Sequence, residues 1–331
     1  MVRILCLHGH GTSSQIFETQ LATLCKSLPE HYEYVYADGE IECDRAPGKS
    51  RYYNAYVPDI DSRKIAIPQT IPGPFLCYFN GCSCGELQEA HDLLDAIIDE
   101  EGPFDGVFAF SQGAALTMSY LLELERQNPR SDPPFKFAVL FSPTVALCPD
   151  PGYCSEEMES LNKLDYDYLT SVLKQAVEEQ DAAVTVSHQN KHSDYLTPDL
   201  WQHQKPDFEL RKRILVSSIG GIIRAGLKTS FLSASSLQGY IALHDNRVIP
   251  RVFHPALMSE RIRIPVVQAT GLKDDKDLQA QFKIMPLLCK ESMTRRVLHN
   301  GGHDLPRAPG DIREIVKAIE WVIAEGDMPT F

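Results

Sequence analysis

The most constraining stretch of the chain is Gly106-Val107-Phe108-Ala109-Phe110-Ser111-Gln112-Gly113-Ala114. Its first half has no polar side chain and reads as a strand buried on both faces, and Ala115, Met118 and Leu122 mark the inner face of a helix over Ala114–Leu124. Ser111-Gln112-Gly113 is left as a sharp turn. A strand that turns at once into a helix belongs to a parallel sheet, since the helix carries the chain back over the sheet to begin the next strand. A serine on such a turn projects its hydroxyl above the sheet, and the residues two places away must be small because strand and helix pass close to them. Ala109 and Gly113 meet that need. Glycine is usual at both positions, so Ala109 departs from the pattern by one methyl group.

The rest of the chain repeats the rhythm. Val2–Leu7, Phe135–Phe141 and Arg263–Ala269 are predicted as buried strands, with Arg295–His299 and the ring-alternating Tyr32–Ala37 as two more. Between them, Phe17, Leu21, Leu24 and Leu28 step as one helix face, capped by Ser13 or Ser14 and ended by Pro29. Leu87, Ala90, Leu94, Ile97 and Ile98 mark a second helix that stops at Gly102-Pro103. Leu278–Leu288 is a third, and the stripe Ile312, Ile315, Val316, Ile319, Val322 and Ile323 is a last, capped by Asp311. This alternation predicts the α/β class: a mostly parallel sheet flanked by helices. Residues 38–80 read as long surface loops. The rhythm breaks between Pro143 and Arg263, where Leu161–Glu178 and Leu210–Leu227 are predicted helices. No linker-like composition sets this region apart. Residues 1–331 are therefore expected to form a single domain, with 146–260 inserted as a helical lid.

Composition narrows the function. The chain has 331 residues, with 32 Lys+Arg against 45 Asp+Glu and a net charge of −13. Phosphate backbones are bound by clustered cations, so this balance argues against nucleic acid and anionic membrane as partners. Nine cysteines, an odd number without repeated spacing, fit a reducing compartment rather than a disulfide framework. The first apolar run is too short for a signal peptide, and none approaches the roughly 20 residues of a membrane helix. A soluble cytoplasmic protein is expected.

A serine hydroxyl is a poor nucleophile at neutral pH unless a positioned base takes its proton and a carboxylate orients that base. His303, in the glycine loop of Leu298-His299-Asn300-Gly301-Gly302-His303-Asp304-Leu305-Pro306, is the expected base. His299, at the strand end, is expected to be packed or hydrogen-bonded. The loop Thr270-Gly271-Leu272-Lys273-Asp274-Asp275 offers Asp274 as the acid, with Asp275 and Asp277 as rivals in the same acidic run. The order serine, aspartate, histidine is that of α/β-hydrolases. A tetrahedral intermediate also needs two backbone donors for its oxyanion. The amide of Gln112 is one, and the loop His8-Gly9-His10-Gly11 suggests His10 for the other. His8 and His10 have no Cys or carboxylate partner at ligand spacing, so no metal is expected. The dinucleotide pattern G-x-G-x-x-G is left incomplete by Ser14, and no cofactor is expected. Cys82-Ser83-Cys84, with no second pair, reads as two loop thiols.

The segments Ile4–Thr12, Phe104–Ala114 and His299–Pro306 together resemble the fungal serine hydrolases known as the FSH family, within the α/β-hydrolase superfamily. The resemblance covers residues 1 to about 145 and about 260 to 331. It implies an α/β-hydrolase fold and a catalytic triad of Ser111, Asp274 and His303, the acid lying in a G-x-x-D loop and the base in a G-G-H segment. Relatives of this kind include esterases, and thioesterases that release polyketides from carrier proteins in biosynthetic clusters. Ala109 departs from the family pattern, as does the length of the region between Pro143 and about Arg261. The expected function is hydrolysis of a small-molecule ester or thioester of a hydrophobic acyl chain through an acyl-enzyme, including polyketide release from an acyl carrier protein. An acyltransferase or intramolecular ester-forming enzyme would use the same residues, and a non-catalytic binding protein is a third reading. Tyr166, Tyr168, Tyr195, Trp201 and Phe231 are expected to line the substrate region. Carrier proteins are acidic, so docking one on this acidic chain needs a local basic patch, for which Arg211-Lys212-Arg213 and Arg295-Arg296 are the candidates.

Overall fold

The apolar runs Arg3–Leu7 (β1), Gly106–Phe110 (β5), Phe137–Phe141 (β6) and Val266–Gly271 (β9) are almost wholly buried because they form the middle of one sheet. Glu33–Ala37 (β2) and Thr294–His299 (β10) are its edges and keep exposed positions. In the computed structural model, which describes residues 1–45, 73–181, 206–229, 232, 241 and 249–328, the order is β10-β9-β6-β5-β1-β2. Every pairing in it is parallel. Burial on both faces is what turned the middle strands into continuous hydrophobic runs.

One face is covered by Ser14–Cys25 (α1) and Pro309–Gly326 (α8), which pack Phe17, Leu21, Ile315, Ile319 and Val322 on Phe108, Phe110 and Phe141. Ser13 caps α1 by accepting from the Ile16 amide. The other face carries Cys84–Glu101 (α2), opened by a reciprocal Ser83/Glu86 capping box, and Gln112–Gln127 (α3). Two helix starts differ from expectation. Helix α3 begins at Gln112 and not Ala114, because Ser111 alone makes the turn. Helix α8 begins at Pro309, whose fixed φ suits a first helical position, with Ala308 in the capping place. Asp311, the expected cap, accepts instead from the Asn300 amide at 3.2 Å.

Past β6 the chain leaves the sheet. Leu147–Cys148 (β7) pairs antiparallel with Arg251–Val252 (β8), so the intervening segment departs and returns at one point. It contains Ser155–Glu159 (α4), Lys163–Asp181 (α5) and Phe208–Thr229 (α6). Tyr166, Leu169 and Leu173 of α5 and Ile214, Ile219 and Ile223 of α6 join the apolar cluster that includes Met118 and Leu122 of α3. Lys276–Ile284 (α7) follows β9. The helix expected to run to Leu288 tightens into a 3₁₀ turn over Met285–Leu288, since Pro286 lacks the amide that α-helical bonding needs there. Ile41–Glu42 (β3) and Leu76–Cys77 (β4) form a short antiparallel ladder inside the region read as loops. Two residues are too few to show a period. Tyr195, Trp201 and Phe231 lie outside the described residues. Among the described residues no helix is long and apolar enough to cross a membrane.

Candidate active site

Ser111 has φ 52° and ψ −108°, a left-handed conformation that only a strongly determined turn imposes on a residue with a side chain. The turn is held from three directions. The Ser111 amide donates to Phe141 O on β6 at 2.9 Å, Gly113 N donates to His8 O at 3.1 Å, and the Ser111 carbonyl accepts from Ala115 N within α3. A Cβ on Gly113 would stand 2.6 Å from Leu7 O and 2.7 Å from His8 O, so this small neighbour is obligatory. Ala109 sits fully buried in register between Leu7 and Leu140, with its methyl group accommodated.

The sheet order brings the ends of β5, β9 and β10 to one edge, and with them Ser111, Asp274 and His303. His303 Nε2 lies 2.8 Å from Ser111 Oγ, and His303 Nδ1 lies 2.9 Å from Asp274 Oδ2. A carboxylate can only accept, so Nδ1 carries the proton and Nε2 is left to accept from the serine hydroxyl. The other Asp274 oxygen accepts from the Asp275 amide at 2.8 Å. The loops of Asp274 and His303 are joined by backbone bonds from Leu272 N to His299 O and from Lys273 N to Gly301 O, both 2.9 Å. Their contact is so close that a Cβ on Gly271 would meet Gly302 O at 2.1 Å. The His303 ring packs on Phe110 with 5.4 Å between centroids. Asp275 and Asp277 are engaged elsewhere. Asp275 caps α7, and both accept from Lys228 at the end of α6, at 2.8 and 2.5 Å.

The loop after β1 lies against Ser111. A Cβ on Gly9 would approach the Phe110 ring to 2.9 Å and Ser111 Cβ to 3.3 Å, so Gly9 lets the backbone pass beside the serine. His10 follows it directly, and Gly11 turns the chain away with φ 64°. Gln112, as the first residue of α3, has an amide that no helical carbonyl can reach. Its side chain has a role that sequence spacing did not reveal, since Oε1 accepts from Tyr78 N at 3.0 Å and Nε2 donates to Phe79 O at 2.6 Å. His8 is fully buried. Its Nδ1 donates to Gly9 O at 2.8 Å and its Nε2 accepts from Gly39 N at 3.0 Å, which together define a neutral imidazole. His299 is buried too, accepting from Gly301 N through Nδ1 at 3.1 Å, and burial lowers its pKa.

Two expectations about other residues change. The triplet Arg211-Lys212-Arg213 is not an open basic patch. Arg211 pairs with Glu157 at 2.5 Å, Lys212 with Asp165 at 2.8 Å, and Arg213 donates to Glu209 O at 3.3 Å. His10, read as lacking cysteine partners, has two. Cys43 and Cys77, remote in sequence, both reach it. The Cys43 thiol pKa is lowered, chiefly by its hydrogen bond from Cys77 and then by His10, and that of Cys77 is raised by the same sulfur contact and by burial.

Comparison with known proteins agrees with this geometry. The family described as serine hydrolase (FSH1) matches residues 1–315, a span that includes the long segment between β6 and β9. Esterase alnB of Emericella nidulans is 32% identical over 323 residues, covering 98% of this chain and 97% of alnB. Serine hydrolase cnsH of Penicillium expansum is 28% identical over 266 residues, 80% of this chain and 96% of its own. Hydrolase FUB4 of Gibberella moniliformis is 24% identical, with 92% of each chain covered. The parallel sheet, the strained serine at its centre and a family match over nearly the whole length have one meaning: the chain belongs to the FSH1 serine hydrolase family and is an esterase-type enzyme on an α/β-hydrolase fold.

Proposed function

We propose that this enzyme hydrolyses an ester or thioester of a hydrophobic acyl chain through an acyl-enzyme on Ser111. The observation that carries the reading is the unbroken hydrogen-bonded run Asp274, His303, Ser111. Ser111 Oγ attacks the acyl carbonyl carbon while its proton passes to His303 Nε2, and Asp274 stabilises the imidazolium through Nδ1–H. The oxyanion is held by the amides of His10 and Gln112, each such donor being worth about 3–4 kcal/mol in comparable sites. As the intermediate collapses, His303 protonates the departing alcohol or thiol. Water then attacks the acyl-enzyme with His303 again as base, and the free acid leaves.

The segment 146–260 acts in this reading as a lid that selects the acyl chain. In its support, the end of α6 is tied to the acid loop through Lys228, and Arg224 pairs with Asp277 at 3.3 Å. Tyr166 is buried, and Tyr168 Oη would lie 3.0 Å from a Cβ on Gly220, so these two rings serve as packing between α5 and α6. The substrate form favoured is a small-molecule ester or thioester. An acyl chain on a carrier protein, a polyketide included, loses one candidate docking patch through the pairing of Arg211 and Lys212 with carboxylates, and is left with the exposed Arg295-Arg296 on the edge strand β10. A fluorophosphonate probe should label Ser111, and Ser111→Ala should abolish labelling and turnover with the fold intact. An unmodified Ser111 in folded protein would sink the reading. Faster turnover of a carrier-bound thioester than of the matching small thioester would restore the carrier.

A further inference from the structure

Three segments far apart in sequence meet beside the oxyanion loop. The ring of His10 and the Sγ atoms of Cys43 and Cys77 offer ligand atoms that all lie within 4.8 Å of one another. His10 is 5% exposed, its Nδ1 is buried without a hydrogen-bond partner, and Cys77 is fully buried. The setting is built rather than incidental. Gly11 N donates to Leu76 O at 3.1 Å, Leu76 N to Thr12 O at 2.7 Å, and Cys43 N to Phe75 O at 2.9 Å, so loop, β3 and β4 are stitched to one another around the three side chains.

Two chemistries suit a pair of close thiols, and register separates them. Ile41 faces Cys77 and Glu42 faces Leu76, which sets Cys43 opposite Phe75 and diagonal to Cys77 on the same face of the ladder. Diagonal partners stand about 7–8 Å apart at Cα, beyond the roughly 4.4–6.8 Å of a disulfide. A metal ion between the sulfurs needs no such approach, because its bonds of about 2.3 Å to sulfur and 2.0 Å to nitrogen span the gap. The other close cysteines are used differently, with Cys84 at the start of α2 donating to Cys148 O at 3.7 Å.

We propose that His10, Cys43 and Cys77 form a binding site for a zinc-class divalent ion. Two thiolates and one neutral imidazole bring a doubly charged ion to neutrality, which suits a mostly buried site, and two sulfurs with one nitrogen select zinc over magnesium or calcium. The thiol protons are released to solvent on binding. One tetrahedral corner remains for water. A bound ion ties the loop of His10 to β3 and β4 and so holds the backbone that passes Ser111. The site stands whether or not Ser111 is the nucleophile, and its test does not read turnover.

The reduced full-length protein, stripped of metal, is titrated with Co2+ alone and then with Zn2+. The expected result is one Co2+ per chain with the intense absorption of thiolate-bound tetrahedral cobalt, displaced by Zn2+. Cys77→Ser and Cys43→Ser should each weaken binding by more than about a hundredfold, since each removes one of three protein ligands. Wild-type protein gives a check that no folding defect can confuse: zinc should slow alkylation of Cys43, read by peptide mass mapping. Cobalt bound without thiolate absorption, an unchanged alkylation rate, or a Cys43–Cys77 disulfide in the purified protein would overturn the site.

Discussion

Two glycine loops of this enzyme carry paired histidines, and they use them in opposite ways. His8-Gly9-His10 leaves β1, and His299-Asn300-Gly301-Gly302-His303 leaves β10, at the same edge of the sheet. In each the strand-end histidine is buried and bonded to its own loop, His8 to Gly9 O and His299 to Gly301 N. The second histidine diverges. His303 delivers its ring to Ser111, whereas in the other loop it is the backbone at Gly9 that lies beside the serine, and the His10 ring turns to Cys43 and Cys77. The cause is spacing. One residue between histidines keeps the loop tight on Phe110, whereas three residues, two of them glycine, let the chain arch over and return a side chain. A histidine after a strand is thus a poor guide to chemistry until the length of its loop is known.

Removing the delivered ring should have the largest effect. His303→Ala is expected to lower kcat roughly 10⁴- to 10⁶-fold with an unchanged melting temperature, as steady-state kinetics and calorimetry will show. Asp274→Asn should cost roughly 10⁴-fold, by loss of the tautomer that leaves Nε2 free to accept. Gly9→Ala tests the other loop through its backbone. The new methyl meets the Phe110 ring and should move the His10 amide, lowering kcat about 10²- to 10³-fold with little change in KM. If kcat held steady there, the assignment of the oxyanion donor to that loop would fail.

The strand-end histidines should affect stability instead. His8→Ala strips the buried Gly39 amide of its acceptor and is expected to cost about 1–3 kcal/mol in denaturant unfolding, without an effect on the chemical step. His299 gives the smallest effect, one seen only in acid. Its folded-state pKa is below that of the unfolded chain, so between the two values the unfolded state binds more protons and stability rises with pH. His299→Asn, which keeps an acceptor for Gly301 N, should flatten that slope below about pH 6.5. A slope equal to the wild type's would show that another group is responsible.

Much of this was legible in the sequence, for reasons that also mark where it stopped. The middle strands could be read because burial on both faces leaves no polar position in them, and the meeting of Ser111, Asp274 and His303 could be expected because each lies in a turn or glycine loop that follows a strand. Asp274 over Asp275 was not decidable from spacing. The structure separates them by drawing Asp275 into the α7 cap and onto Lys228. Strands β3, β4, β7 and β8 are two residues each and carry no period. The convergence of His10, Cys43 and Cys77 depends on long-range pairing that local sequence does not encode, and the side chain of Gln112, buried as a clamp on Tyr78 and Phe79, gives no local sign of that role either.

The position of β10 has a consequence for the life of the chain. Among the described residues it is the last strand of the sheet in chain order, and it lies at the outer edge, paired only with β9. Without β10 in place, Ser111 lacks the His303 ring, and the Asp274 loop loses the backbone bonds from Leu272 N and Lys273 N to the His303 loop. A product truncated before residue 303 keeps the Ser111 turn but lacks the proposed base, and is expected to be inert. If Ser111, Asp274 and His303 act as proposed, regain of activity on refolding is expected to report docking of β10 rather than core collapse.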